Sequence, residues 1–205
     1  MALATRIVLV RHGETDWNAE RRIQGHTDIP LNAAGRRQAA RLAEALSDEA
    51  FDAVYASDLA RARETAAPFA GAALRLHDGL RERHFGAFEG CSIDEIDACW
   101  PEQARRWRRR DPDFAPAGGE TLADFDARCV AAVDALARGH AGQNIAIVAH
   151  GGVLDCLYRA ATGQSLGAAR SWELGNATIN RLLHTGEGFT LVGWNDAAHL
   201  ATADA

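Results

Sequence analysis

The chain has 205 residues, with 22 basic against 28 acidic side chains, a formal net charge of −6, and 47% hydrophobic residues. These are ordinary globular values in a chain long enough to bury a core unaided, which excludes disordered, collagen-like and disulfide-scaffold classes. The length reads as one domain over residues 1–205 with an insertion. Every basic residue is arginine, so an anion site must be built from guanidinium forks, histidine and backbone N–H groups. The acidic balance argues against broad nucleic-acid or membrane-surface binding and leaves room for one focused positive pocket. No apolar run reaches the length of a membrane span, and the start carries no export signal, so a cytoplasmic location is expected. Cys91, Cys99, Cys129 and Cys156 lack C-x-x-C spacing and are expected as inert, reduced thiols.

Residues 6–10 form a short apolar run of the kind buried on both faces of a parallel sheet, and they lead straight into the polar run 11–18. Asn32 precedes Ala39, Leu42, Ala43 and Leu46 at helical spacing, predicting a capped amphipathic helix over 33–46. Residues 53–56 read as a second strand, followed by a helix capped at Ser57 or Asp58 and reaching about 69. Residues 74–76 read as a third strand. From 79 to 120 the pattern turns to Gly, Pro and charge, with short helical pieces at 94–98 and 102–109; this is the expected cap-like insertion. A helix over 122–137, a strand over 144–149, a helix over 153–161 and closing strands near 178–183 and 189–194 complete the chain. The alternation predicts an α/β fold, a three-layer α/β/α sandwich around a mostly parallel central sheet.

Arg11, His12 and Gly13 end the first strand, at the edge where open α/β sheets bind ligands. His150 ends the strand over 144–149, and Gly151 and Gly152 after it allow a backbone approach to an anion at a helix N-terminus. Arg61 lies one turn into the helix after the second strand. Two arginines and two histidines from three strand ends suit a phosphoryl dianion, because guanidinium forks bind its oxygens while a neutral imidazole nitrogen attacks phosphorus.

The run Leu9-Val10-Arg11-His12-Gly13-Glu14-Thr15 resembles the signature of the histidine phosphatase superfamily, in its phosphoglycerate mutase-like branch. Similar blocks follow in family order: Asp16-Trp17-Asn18, Ile23-Gln24-Gly25, Pro30-Leu31-Asn32 with Gly35 and Gln38, Ser57 to Thr65 around Arg61, Leu80-Arg81-Glu82-Arg83 with Glu89-Gly90, Gly118-Gly119-Glu120-Thr121 and His150-Gly151-Gly152. The resemblance implies that His12 is the phosphorylated nucleophile and that Glu82 moves the proton. It further implies that Arg11, Asn18, Arg61 and His150 bind the phosphoryl group, and that Thr15, Gln24, Gly25, Arg83 and Gly151 lie on the substrate side. Arg with His can neutralise the transferring charge, so no metal is required.

Phosphatase and mutase share the phosphohistidine step. The short segment between Gly86 and Gly118 and the absence of Lys lean toward a metal-independent phosphomonoesterase with no cofactor, acting on a small phosphorylated metabolite. Trp107-Arg108-Arg109 resembles a substrate-binding stretch of the cofactor-dependent mutases, which would need 2,3-bisphosphoglycerate as primer. A non-catalytic phospho-ligand binding protein of the same fold is the third reading. The run Arg105-Arg106-Trp107-Arg108-Arg109-Arg110 reads as a solvated helix face or a substrate-recognising rim, ahead of a nucleic-acid patch. Trp17, Trp172 and Trp194 read as packing residues. His26, His77, His84, His140, His184 and His199 show no metal-site spacing. Monomer and homodimer both stay open.

Overall fold

A computed structural model of the chain describes residues 3–70 and 73–201. Six strands form one sheet: β1 (Thr5–Arg11), β2 (Ala53–Ala56), β3 (Leu74–Leu76), β4 (Asn144–Ala149), β5 (Ile179–Thr185) and β6 (Gly188–Asp196), in the order β3-β2-β4-β1-β5-β6. The first four of that order run parallel, and β5 and β6 add antiparallel at one side. The helices are α1 (Asp16–Ala19), α2 (Ala33–Ala45), α3 (Ala60–Ala70), α4 (Ile93–Cys99), α5 (Pro101–Arg108), α6 (Leu122–Arg138) and α7 (Gly151–Thr162).

Side chains alternate across a strand with a period of two, and β1 divides its apolar residues accordingly. Ile7 and Leu9, with Tyr55, Ile145 and Ile147, pack against Phe125, Cys129 and Val133 of α6 and Val153, Leu154 and Leu157 of α7. Val8 and Val10, with Val54, Ala56, Ala146 and Val148, face Leu42 of α2 and Ala62 and Ala66 of α3. Burial on both faces is why these strands read as continuous apolar runs, and it produces the expected three layers. Asn32 accepts from the Gly35 N–H to cap α2, as its spacing predicts. The predicted strands and long helices match within two or three residues, the ordinary uncertainty of element ends.

Within residues 79–120, Leu80 joins the core beneath the sheet, and the residues after it build a core of their own. Phe88, Ile96, Ala104 and Phe114 form a separate small core there, with Trp100 and Trp107 against it. Of the arginine run, Arg105 pairs with Glu102, Arg106 with Asp111, Arg108 with Asp97 and Arg110 with Asp155. Trp172 stacks on Tyr158 at 4.0 Å between ring centroids, with Trp194 edge-on to the same tyrosine, so both pack as expected. Among the described residues no helix is long and apolar enough to cross a membrane.

Candidate active site

Parallel pairing brings Arg11 opposite Ala149, and the His12 N–H continues the ladder to the Ala149 carbonyl at 2.9 Å. The histidines that follow β1 and β4 are therefore neighbours, with ring centroids 5.2 Å apart. Behind His12 the backbone is tightly packed. A Cβ on Gly13 would lie 2.8 Å from the Gly35 carbonyl oxygen, so only glycine lets the loop after β1 rest on the start of α2. Thr65 Oγ1 accepts from the Gly13 N–H, Gln38 Oε1 accepts from the Glu14 N–H, and Asn32 Nδ2 donates to Glu14 Oε1. The α2 motif around Pro30, Asn32, Gly35 and Gln38 thus fixes the segment that carries His12.

His12 is 3% exposed. Its Nδ1–H donates to the Gly13 carbonyl at 2.7 Å, which leaves the Nε2 lone pair free. Burial, then the cations of Arg61 and Arg11, hold its pKa well below the ordinary histidine range, so the ring is neutral and nucleophilic near pH 7. Burial likewise lowers His150, reinforced by Arg61, His12 and Arg11. His150 is fully buried, and neither ring nitrogen has a partner.

Arg61, on the first turn of α3, donates Nη1 to the Thr27 carbonyl at 3.0 Å and Nη2 to the Gly25 carbonyl at 2.8 Å, while its buried Nε has no partner. Burial lowers its pKa to about 10, which keeps it a cation at neutral pH. Arg11 donates Nη1 to the Leu174 carbonyl, and its buried Nε is likewise unpartnered. Buried polar groups ordinarily find partners, so these atoms together mark a binding site for an acceptor-rich anion.

Glu82 reaches the same place from the segment after β3. Its Oε2 accepts from the Gly152 N–H in the first turn of α7 at 2.9 Å, and its Oε1 accepts from the Arg83 N–H at 2.8 Å. Arg128 donates to the backbone carbonyls of Gly79, Arg81 and Glu82, and His26 Nε2 also bonds the Glu82 carbonyl, so the carboxyl stands on a braced backbone.

Arg11, His12, Asn18, Gln24, Gly25, Arg61, Glu82 and Gly151 line one cavity of about 290 Å³, and His150 lies buried against the His12 ring without lining it. Two expected substrate residues sit elsewhere. Thr15 is fully buried as the N-cap of α1, exchanging hydrogen bonds with Asn18 in a capping box. Arg83 donates to the carbonyls of Glu120 and Phe114, holding residues 114–120 in place, and touches only a neighbouring cavity. Sequence reasoning missed Phe85, Arg170, Leu174 and Asn176. The first three line the cavity, and Asn176 Nδ2 donates to the His12 carbonyl. The segment 163–177 that carries the last three has no periodic pattern, and its contacts with the first strand are invisible in spacing. Among the described residues no group of three or more His, Cys, Asp or Glu is arranged to hold a metal.

A free imidazole nitrogen, unpartnered cationic donors around it and a carboxyl at the rim define a phosphoryl-transfer site. The family model of the histidine phosphatase superfamily, branch 1, matches residues 7–197, and the chain belongs to that family of phosphoryl-transfer enzymes. The chain is 42% identical over 95% of its length to phosphoglycerate mutase-like protein 4 of Arabidopsis thaliana, covering 86% of that protein. It is 36% identical over 97% of its length to a metal-independent phosphoserine phosphatase of the same plant, covering 84% of it. Among solved structures, phosphoserine phosphatase of Entamoeba histolytica, in complex with 3-phosphoglyceric acid, superposes with a TM-score of 0.86 at 28% identity, covering 96% of this chain and all of that one.

Proposed function

We propose that the chain is a metal-independent phosphatase of small phosphorylated metabolites, working through a phosphohistidine on His12. The observation that carries this reading is the free Nε2 of His12 in a cavity that Arg11 and Arg61 also line, with their Nε atoms and both ring nitrogens of the adjacent His150 unpartnered. The phosphoryl oxygens take hydrogen bonds from Arg11 Nε, Arg61 Nε, His150 and Asn18. His12 Nε2 attacks phosphorus, forming the P–N bond as the P–O bond to the alcohol breaks. Glu82 gives its proton to the departing alkoxide. A water then attacks the phosphohistidine, returns a proton to Glu82 and releases inorganic phosphate as the P–N bond breaks. The two arginines neutralise charge on the equatorial oxygens, the task a metal ion performs in other phosphoryl-transfer enzymes, and His150, held neutral by burial, adds a hydrogen bond. Residues 79–120 act in this reading as the cap of a single domain over residues 1–205, with Glu82 and Phe85 on its inner side.

Acid-labile, base-stable label on His12 from a phosphorus-labelled ester, with turnover undiminished in EDTA, is the expected result. Turnover by His12→Ala, or activity that returns only with a divalent ion, refutes the mechanism. A phosphorus NMR time course with 3-phosphoglycerate and a trace of 2,3-bisphosphoglycerate separates the two activities of the family. Inorganic phosphate supports the phosphatase, and 2-phosphoglycerate without it makes the chain a mutase.

A further inference from the structure

A second cavity, of about 480 Å³, opens beside the first and shares Glu82, Phe85, Gly152 and Arg170 with it. A phosphoester seated on His12 has its alcohol portion beside Glu82, the residue that protonates it, so the second cavity is where that portion extends. Its other walls include Trp107, Leu122 and Phe125 and the guanidinium groups of Arg83, Arg108 and Arg110.

The cations around the two cavities divide sharply by their partners. Arg83 is held by two carbonyls, Arg108 by Asp97, and Arg110 by Asp155 and the Leu166 carbonyl. Arg22, at the far rim of the first cavity, is held by Glu20, Glu95 and the Gly90 carbonyl. Arg11 and Arg61 turn their free Nε atoms to the phosphoryl position. Arg170 alone lines both cavities with no hydrogen bond or ion pair to any described residue. It stands close enough to Arg11 for the two charges to repel, and Glu173, the acid on its own segment, is hydrogen-bonded to Asn195 instead.

Its base is nevertheless fixed. Arg159 Nη1 donates to the Ser165 carbonyl, Trp172 is clamped between Tyr158 and the Arg159 guanidinium, and the Leu174 carbonyl accepts from Arg11. An exposed, uncompensated guanidinium on an anchored segment, at the junction of the two cavities, is available to receive an anion.

We infer that Arg170 is the specificity-determining residue of this site: it binds a second anionic group, a carboxylate or a second phosphoryl, on the alcohol portion of the substrate. The inference rests on the phosphatase reading and narrows its substrates to doubly anionic phosphomonoesters.

The test is competition against 4-nitrophenyl phosphate hydrolysis by paired competitors, 3-phosphoglycerate and glycerol 3-phosphate, which differ by a carboxylate in place of a hydroxymethyl group. Propane-1,3-diol bisphosphate, which has a second phosphoryl and no carboxylate, as a third competitor separates a carboxylate receptor from a second-phosphoryl receptor. In the native protein the doubly anionic competitor is expected to bind about 10-fold tighter than glycerol 3-phosphate, the scale of one charge-assisted hydrogen bond near solvent. Arg170→Gln brings the ratio of inhibition constants to within about 2-fold, and Arg170→Lys retains most of it. Equal weakening of all competitors makes Arg170 a phosphoryl ligand and overturns the inference, as does an unchanged ratio. If the native protein hydrolyses no phosphoester and His12 takes no label, the phosphatase reading itself fails, an outcome distinct from an active enzyme with no preference.

Discussion

Gly152 offers a way to displace Glu82, the proposed proton donor, without altering any ionisable side chain. A methyl group at this position would lie 2.1 Å from Glu82 Oε1 and 2.9 Å from two ring carbons of Phe125. Glu82 can retreat, because it is only partly buried, but it then loses the Gly152 N–H bond and leaves the leaving oxygen. The phenyl ring must shift as well, and overpacking of this kind costs about 1–3 kcal/mol. That is a small part of the roughly 5–15 kcal/mol of a folded domain, so Gly152→Ala stays folded, with Tm lower by roughly 2–12 °C at this chain length. General acid catalysis contributes about 10²–10⁴-fold, so the variant is expected to lose on the order of 10²-fold or more in kcat/KM with an alkyl phosphate. With 4-nitrophenyl phosphate, whose phenolate departs without a proton, the loss is expected within about 5-fold. Glu82→Gln should show the same leaving-group dependence, and the double variant should be scarcely worse than either single one, because both changes remove one function. Steady-state kinetics on the two esters, with the four proteins in parallel, checks this. Equal losses on both esters, or additive losses in the double variant, refute the assignment of Glu82 as the proton donor held by Gly152.

The two buried histidines impose a pH dependence on stability. Their pKa values are depressed in the folded state from the ordinary value near 6.5, so below that pH the unfolded chain binds more protons than the native one. Stability is therefore full above about pH 6.5 and falls with decreasing pH, by up to about 1.4 kcal/mol per unit for each histidine. Thermal melts in phosphate-free buffers should show Tm dropping from pH 7.5 to 5.5, with a shallower slope in His150→Asn; parallel slopes would remove this account. Asp155→Ala should lower stability by about 3–5 kcal/mol, because it leaves the buried Arg159 guanidinium and Arg110 without their carboxylate; a melt within 2 °C of the native protein would contradict it. Cys129 and Cys156 are buried, and a hydrogen bond with Cys129, reinforced by burial, pushes the Cys156 thiol well up. A thiol reagent should therefore titrate Cys99 in the native protein and reach these two only on unfolding, and rapid native labelling of either would refute it.

The sheet and its active edge were legible because the physics that forms them is local or periodic. The apolar run of β1 announces two-sided burial, Asn32 announces a helix start, and residues that directly follow parallel strands share an edge by topology. Thr15 was misread for a reason of scale: α1 has four residues, too few for a hydrophobic period, and its capping box closes on Asn18 where Glu or Gln is the familiar partner. For Arg83 the sequence does not say whether a guanidinium in a binding block meets ligand or main chain; its hydrogen bonds go to the carbonyls of Phe114 and Glu120, while it lines the cavity beside the His12 pocket. The arginine run showed its charge but not its ion pairs, since Asp97 and Asp155 come from other elements. Arg170 and Asn176 were invisible because turns place them, and only the tertiary fold brings those turns to β1.

The backbone around His12 is closed by partners from far along the chain: its N–H by Ala149, its carbonyl by Asn176, and the Arg11 carbonyl by the Ala177 N–H. Contacts of such long sequence separation form only after large loops have closed, which slows folding. During synthesis, the first strand and His12 leave the ribosome long before the residues that hold them. Competence for phosphoryl transfer is therefore among the last properties this chain acquires, and it arrives together with the complete sheet.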